Sequence, residues 1–138
     1  MNTKQIPIRH GDVILLNINS IQKENFRDEE TYDKAKSIFD AYQSGKTKSR
    51  KDGIVAEGEA TGHAHVIENA TIYELPEEMS SLAINDRGQI VEIEEETIIH
   101  HTSGDHPEHK DLVIPKGTYL RLIHEEFDPF EGWKNVMD

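Results

Sequence analysis

The chain has 138 residues, a formal net charge of -12, 35% apolar residues and no cysteine. This length predicts one domain, residues 1–138. No apolar run approaches the roughly 20 residues of a membrane span, which predicts a protein without membrane contact. The lack of cysteine and of an apolar N-terminal signal segment predicts a cytoplasmic protein. The acidic balance excludes non-specific binding to duplex DNA, which needs a basic surface, but it allows a small anionic ligand in a local pocket.

The first predicted elements are a strand and a helix. Aliphatic and β-branched residues predict a strand over Val13–Asn19. Apolar residues then recur at spacings of three and four, which predicts an inserted helix over residues 27–43, ended by Gly45. Residues 44–53 are polar and basic and are predicted to form a loop.

The rest of the chain reads as short strands separated by turn residues. These strands are residues 54–57, 63–68, 71–75, 82–84, 89–93, 97–100, 112–114 and 119–127. The first three are predicted to form a meander and the next two a hairpin, while residues 128–138 form an irregular tail. Many strands with one helix predict a mainly β fold, a small antiparallel barrel or sandwich with one inserted α-helix.

Histidine is the main chemical feature, since six of the eight histidines fall between His63 and His109. His63 and His65 are two residues apart, so on a strand both imidazoles point to one face. His106 and His109 form a second pair around Pro107, which favours a turn. We expect the two pairs to converge on one site.

Two kinds of chemistry fit this site. In a metal-assisted version, His63, His65, His106 and His109 hold a divalent ion (Zn, Mn, Ni or Fe) that activates water. In a metal-free version, His63, His65 and His109 act as catalytic base and acid. Glu59 is the best carboxylate for a base or an orienting group, although a solvated glutamate at a strand end is the alternative.

Cations are predicted to bind the phosphate groups of a substrate. They comprise a basic cluster in the predicted loop, with two further residues near the C-terminal strands: Lys46, Lys48, Arg50, Lys51, Lys110 and Arg121. The simpler reading of the basic cluster is a solvated loop.

Four motifs occur in a fixed order: His10–Val13, Gly58–His65, His106–Lys110 and Ile114–Tyr119. In these motifs and their order, the chain resembles a family of small, mostly uncharacterised bacterial and phage proteins that carry the same motifs in the same order. The resemblance covers the chain except for residues 26–52 and the tail, and it implies positions of site residues rather than an activity.

Two weaker resemblances concern single motifs. The His63-x-His65 pair after a glycine and Pro115-x-Gly117 resemble cupins, which implies a cupin-like barrel that holds a metal, but the later cupin histidine is absent. His100-His101-Thr102 is similar to the His-x-Thr string of two-histidine phosphoesterases, although only one copy exists.

Three classes of function remain open. The favoured one is a hydrolase that cleaves phosphodiesters in RNA or in a small cyclic nucleotide signal. The others are a non-enzymatic metal- or ligand-binding barrel and an interaction module of phage or mobile-element origin. Pairing into a homodimer is expected, because a small β domain gains by covering a sheet edge. His10 and His124 lie outside both histidine pairs and are expected to matter little.

Overall fold

The structure is a computed structural model that describes residues 7–57, 64–76, 88–102 and 111–123. These residues form two antiparallel sheets packed face to face, with one α-helix on the other face of the larger sheet. The prediction of a mainly β fold with one helix is confirmed. Of the two predicted forms the structure has the sandwich, because the sheets are not closed into a barrel.

The described part of the chain contains ten strands, joined by short turns or by segments outside the described ranges. They are β1 (Ile8–His10), β2 (Val13–Asn17), β3 (Lys48–Arg50), β4 (Ile54–Glu57), β5 (Ala64–Ile67), β6 (Ala70–Glu74), β7 (Gln89–Ile93), β8 (Thr97–His101), β9 (Leu112–Ile114) and β10 (Gly117–Ile123). The six-stranded sheet has the order β1-β2-β10-β7-β6-β3, and the four-stranded sheet has the order β4-β5-β8-β9.

Strand β2 shows how the sequence produces three layers. Val13 and Leu15 pack in the core between the two sheets, while Ile14 and Leu16 pack in a second core beneath the helix. Successive side chains of a strand point to opposite faces, so a strand covered on both sides needs apolar residues at every position. The unbroken run of aliphatic residues in β2 meets this need.

The helix, α1, spans Glu29–Gln43. It starts two residues later than the predicted range of 27–43, because Asp28 is its N-cap and accepts a 2.8 Å hydrogen bond from the backbone N–H of Thr31. This bond holds the pKa of Asp28 below its usual value. Past the C-terminus, Gly45 has a φ of 71°, the left-handed conformation that glycine adopts without strain. Two 3₁₀ turns, Ile18–Ser20 and Lys23–Asn25, connect β2 to the helix.

Two features hold α1 against the six-stranded sheet. The Tyr42 hydroxyl donates a 2.5 Å hydrogen bond to Oε2 of Glu92 on β7. Burial, then this bond and the carboxylate charge, raise the pKa of Tyr42 to about 12. At Gly88, a Cβ atom would lie 1.9 Å from Cδ1 of Ile38, so glycine there lets the helix approach the sheet closely without displacing the Ile38 side chain.

The predicted meander is wrong in its third strand. β4 and β5 pair, but β6 belongs to the other sheet, where it pairs with β7 and β3. The chain changes sheets at a turn that contains Asn69, whose φ is 54°. Ile67 and Ala70, on either side of the turn, are both buried in the core between the sheets. Burial of these two side chains in the core therefore outweighs the local pairing of β6 with β5 that a hairpin would provide.

The predicted basic loop over residues 44–53 also needs correction. Lys48–Arg50 forms the edge strand β3, in which Lys48 pairs with Glu74 and Arg50 pairs with Ile72. Opposite charges across neighbouring strands favour this pairing over a solvated loop.

Some predictions lie outside the described residues: the strand over 82–84 with its hairpin, the tail over 128–138 and the last strand beyond Ile123. Within the described ranges, no helix has both the length and the apolar character that a membrane span requires.

Candidate functional site

Strand pairing brings histidines from both sheets into the space between them. His10 on β1 pairs with Val13, whose side chain lies in the inter-sheet core, so His10 faces the same way. His65 on β5 is two residues before Ile67, which packs in that core from the other sheet. The two imidazoles therefore approach each other from opposite sheets.

The His10 and His65 rings are in direct contact. Their Nδ1 atoms lie 2.8 Å apart, and the rings meet edge to face with centroids 5.0 Å apart. Both residues are buried, with 2% of His10 and 7% of His65 exposed to solvent. The hydrogen bond thus joins the two sheets at one end of the sandwich.

A third histidine extends the cluster. His101 on β8 is the register partner of His65, and the centroids of their rings are 4.8 Å apart. Backbone bonds between Thr102 and Ala64 fix this register, since the N–H of Thr102 donates to the Ala64 carbonyl at 2.8 Å. His100 has the opposite orientation, and its Nε2 lies 3.8 Å from Glu68. The cluster therefore consists of His10, His65 and His101.

Asp12 completes the surroundings of His65. Its Oδ1 lies 3.6 Å from His65 Nε2, and its side chain is exposed on the turn between β1 and β2. His65 thus has an imidazole at one ring nitrogen and a carboxylate near the other.

This arrangement places a single proton between His10 and His65, because an N–H···N bond needs one donor and one acceptor. If His10 donates, His65 Nε2 carries its own proton toward Asp12, and His10 Nε2 is the basic nitrogen. If His65 donates, the basic nitrogen is His65 Nε2. The negative charge of Asp12 favours the first form. Conversion to the second form requires two proton movements: the shared proton passes from His10 to His65, while His65 Nε2 loses a proton and His10 Nε2 gains one.

A buried polar row crosses the six-stranded sheet on the same inter-sheet face. Arg121 Nε donates to Gln89 Oε1 at 3.1 Å, and Gln89 Nε2 donates to Glu74 Oε2 at 3.0 Å. Glu74 also accepts from Arg50, whose Nε lies 3.3 Å from Oε1. Arg121 and Gln89 are 1% and 0% exposed, so these polar groups are satisfied within the protein. We call Arg121, Gln89, Glu74 and Arg50 the polar row.

A family model described as a domain of unknown function (DUF8820) matches residues 9–124. The chain belongs to this family. The DUF8820 match includes the histidine cluster and the whole polar row, and it also includes residues 26–52, which the motif resemblance leaves out. Separate searches of curated proteins and of solved structures gave no match.

Of the four histidines predicted as metal ligands, His65 alone lies in the described part of the DUF8820 domain. The other predicted site residues outside the described ranges are Glu59, His63, His106, His109 and Lys110. Among the described residues, no group of three or more histidine, aspartate or glutamate side chains is arranged to hold a metal ion. The convergence of the two predicted histidine pairs stays a prediction.

The predicted cations separate into two groups. Lys46, Lys48 and Lys51 are exposed, as a surface that attracts phosphate requires. Arg50 instead uses its guanidinium within the domain, donating to Glu74, to Asp52 and, at 2.9 Å, to the carbonyl of Ile54. Arg121 is buried in the polar row, on the opposite side of the sheet from α1.

Sequence reasoning missed several members of the cluster. It placed His10 outside the site, whereas the short hairpin of β1 and β2 turns His10 into the inter-sheet space against His65. It used His101 only as part of a weak motif, and it gave no role to Asp12 or Gln89. The sequence did contain a signal for two of these residues, because His10 and Asp12 both belong to the first motif, on either side of its glycine.

Proposed function

We propose that the protein is a histidine-dependent phosphodiesterase that cleaves RNA or a small cyclic oligonucleotide. The observation that supports it best is the 2.8 Å contact between Nδ1 of His10 and Nδ1 of His65. A pair of imidazoles that shares one proton can accept a proton from a substrate and return it near neutral pH. Arg121, held in the polar row on the same inter-sheet face, supplies positive charge for a phosphate.

On RNA, the proposed reaction begins when the basic imidazole nitrogen of the His10–His65 pair removes the proton from a 2′-hydroxyl. The 2′-oxygen forms a bond to phosphorus, and the bond to the 5′-oxygen of the next nucleotide breaks. A protonated imidazole gives its proton to that leaving oxygen, so the products are a 2′,3′-cyclic phosphate and a 5′-hydroxyl. His63 and His109 are the proposed acids, with Glu59 as an orienting carboxylate.

A metal-assisted form of the same activity is the alternative mechanism. In it, His63, His65, His106 and His109 would hold a Zn, Mn, Ni or Fe ion, which lowers the pKa of bound water. Such a role for His65 requires a nitrogen of its ring to turn from its present partner toward the ion. Lys46, Lys48, Lys51 and Lys110 would attract the phosphate backbone in either mechanism.

A second candidate function is a non-enzymatic ligand-binding module, in which the histidine cluster only holds the two sheets together and takes no part in chemistry. The burial of the cluster favours it, since His10 is only 2% exposed. A buried polar cluster is also a common means of specifying one packing of two sheets. We rank it below the hydrolase, because a purely structural role of the cluster gives no reason for the exposed carboxylate of Asp12 beside His65.

The deciding experiment incubates the purified protein with RNA, single-stranded DNA and cyclic di- and oligonucleotides, with and without chelator. Cleavage that survives chelator and has a bell-shaped pH profile supports the metal-free mechanism. Cleavage that chelator abolishes supports the metal-assisted mechanism. If no substrate is cut under any metal condition, the hydrolase gives way to the binding module.

Three further proposals accompany this function. The protein acts in the cytoplasm, it forms a homodimer, and the order of its histidine motifs is a feature that it shares with its family. Light scattering across micromolar concentrations tests the second, and a monomer mass throughout would contradict it.

A further inference from the structure

The two sheets differ in what covers their outer faces. Helix α1 lies on the outer face of the six-stranded sheet, where it encloses a second core. Among the described residues, no helix lies on the corresponding face of the four-stranded sheet. Val113, on β9 of this sheet, is 59% exposed, more than any other large apolar side chain in the described ranges. The four-stranded sheet therefore has apolar surface on its outside.

Strand register identifies the residues of this surface. Val113 pairs with Ile98 on β8, and Val66 on β5 pairs with Ile54 on β4. The residues next to them in these strands pack in the core between the sheets, so these four side chains point outward. None of the four belongs to either core. We call Ile54, Val66, Ile98 and Val113 the outer stripe.

The chain beyond β10 contains apolar residues of the kind that fits an aliphatic surface. Phe127, Phe130 and Trp133 recur at every third position, and Val136 and Met137 follow them. All five lie outside the described ranges. Burial of one aromatic side chain removes about 150–250 Å² from water, so a segment with three of them is stabilised strongly by an apolar surface within its reach.

The end of β10 and the length of the chain after it allow this segment to reach the outer stripe. Ile123 pairs with Val13, which pairs with His10, so β10 ends at the histidine end of the sandwich. From there the chain has to pass the thickness of the sandwich, about 10 Å between sheets, and about 10 Å along β8. Residues 124–133 extend to roughly 33 Å, which exceeds this path.

We propose that residues 124–138 dock on the outer stripe, with Trp133 packed against Val113. A second copy of the chain would have to bind this surface at its free concentration, whereas a segment joined to β10 has a local concentration on the order of millimolar. The docked segment covers the back of β5 and β8, the strands whose inner faces carry His65 and His101. The segment thereby supports the histidine cluster from outside the sheet.

Tryptophan fluorescence tests this proposal on the full chain. Trp133 is the single tryptophan, so its emission reports on this segment alone. The emission maximum and the quenching by acrylamide are measured for wild type, Val113→Lys and Ser37→Lys. Lysine at position 113 places a charge in the outer stripe, and the exposure of Val113 allows the fold to tolerate it. Ser37 is exposed on α1, so Ser37→Lys is a matched control with the same change of charge.

We expect Trp133 of wild type to be shielded from acrylamide and to emit at shorter wavelength than in the chain unfolded by urea. Val113→Lys should shift the emission to longer wavelength and raise the quenching toward that of the unfolded chain, whereas Ser37→Lys should do neither. The shielding should be the same at every protein concentration, because the contact lies within one chain.

A double-mutant cycle by thermal unfolding gives a second readout. Trp133→Ala should lower the melting temperature of wild type but have little effect in Val113→Lys, in which the contact is already lost. In the Ser37→Lys background the effect of Trp133→Ala should be retained in full.

Four results would overturn the proposal. In the first, Trp133 of the folded wild type is as open to acrylamide as in urea. In the second, Val113→Lys shields it as well as Ser37→Lys does. In the third, the effects of Val113→Lys and Trp133→Ala on the melting temperature are additive. The fourth is shielding that disappears on dilution, which would assign the outer stripe to a second copy of the chain.

Discussion

His10 and His65 are 55 residues apart in the chain and belong to different sheets, yet their Nδ1 atoms lie 2.8 Å apart. This contact links the six-stranded sheet to the four-stranded sheet through side chains alone. A change to either histidine therefore affects both the chemistry of the cluster and the closure of the sandwich.

The first prediction concerns His10→Ala. The substitution leaves a buried nitrogen of His65 without this partner, which should lower the free energy of unfolding by about 1–3 kcal/mol. If the pair is the catalytic base, the rate should also fall by about 10² to 10⁴. His100→Ala is the matched control, because His100 is on the opposite face of β8 from His101. Equal denaturation midpoints for the two variants would show that the His10–His65 bond contributes nothing to stability.

The second prediction is a loss of stability at high pH caused by Tyr42. Its pKa is raised from 10.0 to about 12 in the folded protein, so the folded state keeps the phenol proton that the unfolded state loses. The stabilisation is complete below pH 10 and is lost as the pH rises toward 12. Urea unfolding at a series of pH values should show this fall in wild type and a smaller fall in Tyr42→Phe. Parallel curves for the two proteins would contradict the assignment.

The third prediction tests the contact between α1 and β7. Gly88→Ala puts a methyl group into space that Ile38 occupies, and such overpacking typically costs about 1–3 kcal/mol. In an Ile38→Ala background the space is vacated, so the same change should cost little. A double-mutant cycle by chemical denaturation measures the difference. Additive effects would mean that Gly88 matters for some reason other than this contact.

The fourth prediction separates Arg50 from the lysines near it. Arg50→Ala should lower the melting temperature, because it removes the contacts that join β3 to Glu74 and to the Ile54 carbonyl. Replacing Lys46, Lys48 and Lys51 together with glutamine should lower the melting temperature much less than Arg50→Ala, because the three side chains are exposed and only Lys48 faces an opposite charge, Glu74, across the strands. Their loss should instead weaken RNA binding at low salt, and the wild-type advantage should disappear as salt rises. A triple variant that unfolds as early as Arg50→Ala would remove the distinction.

The fifth prediction concerns metal. If the metal-assisted mechanism holds, protein purified without chelator carries a stoichiometric Zn, Mn, Ni or Fe ion, and chelator lowers its melting temperature. Elemental analysis and thermal unfolding measure the two effects. His65→Ala should lower the metal content, whereas His100→Ala should not. Metal far below one ion per chain, with no thermal shift on adding any of the four ions, would leave only the metal-free mechanism.

The sequence predicted the elements of this fold better than their arrangement. Strands such as Gln89–Ile93 and Leu112–Ile114 have the bounds that local β-branched content indicated. Local patterns contain no information about which sheet a strand joins, so the crossing at Asn69 was missed and a meander was predicted. Burial of Ile67 and Ala70 decides that crossing, and burial depends on the whole domain.

The candidate site was predictable only in part, for the same reason. Spacing in the chain identified His65, but His10 reaches it from a strand far away in sequence. Arg50 and Lys48 looked alike as members of a basic cluster. Both residues lie on the same face of β3, but the contacts of Arg50 with Glu74, Asp52 and the Ile54 carbonyl give it a structural role that composition alone did not indicate.

The position of β10 has a consequence for synthesis in the cell. This strand lies between β2 and β7 in the six-stranded sheet, although it is the last described strand to leave the ribosome. Until residue 123 emerges, β2 and β7 each have an unpaired edge made largely of aliphatic residues, the kind of surface that promotes aggregation. We therefore expect the nascent chain to depend on chaperones, and nonsense variants that end before Gly117 to accumulate as insoluble protein rather than as a smaller folded domain.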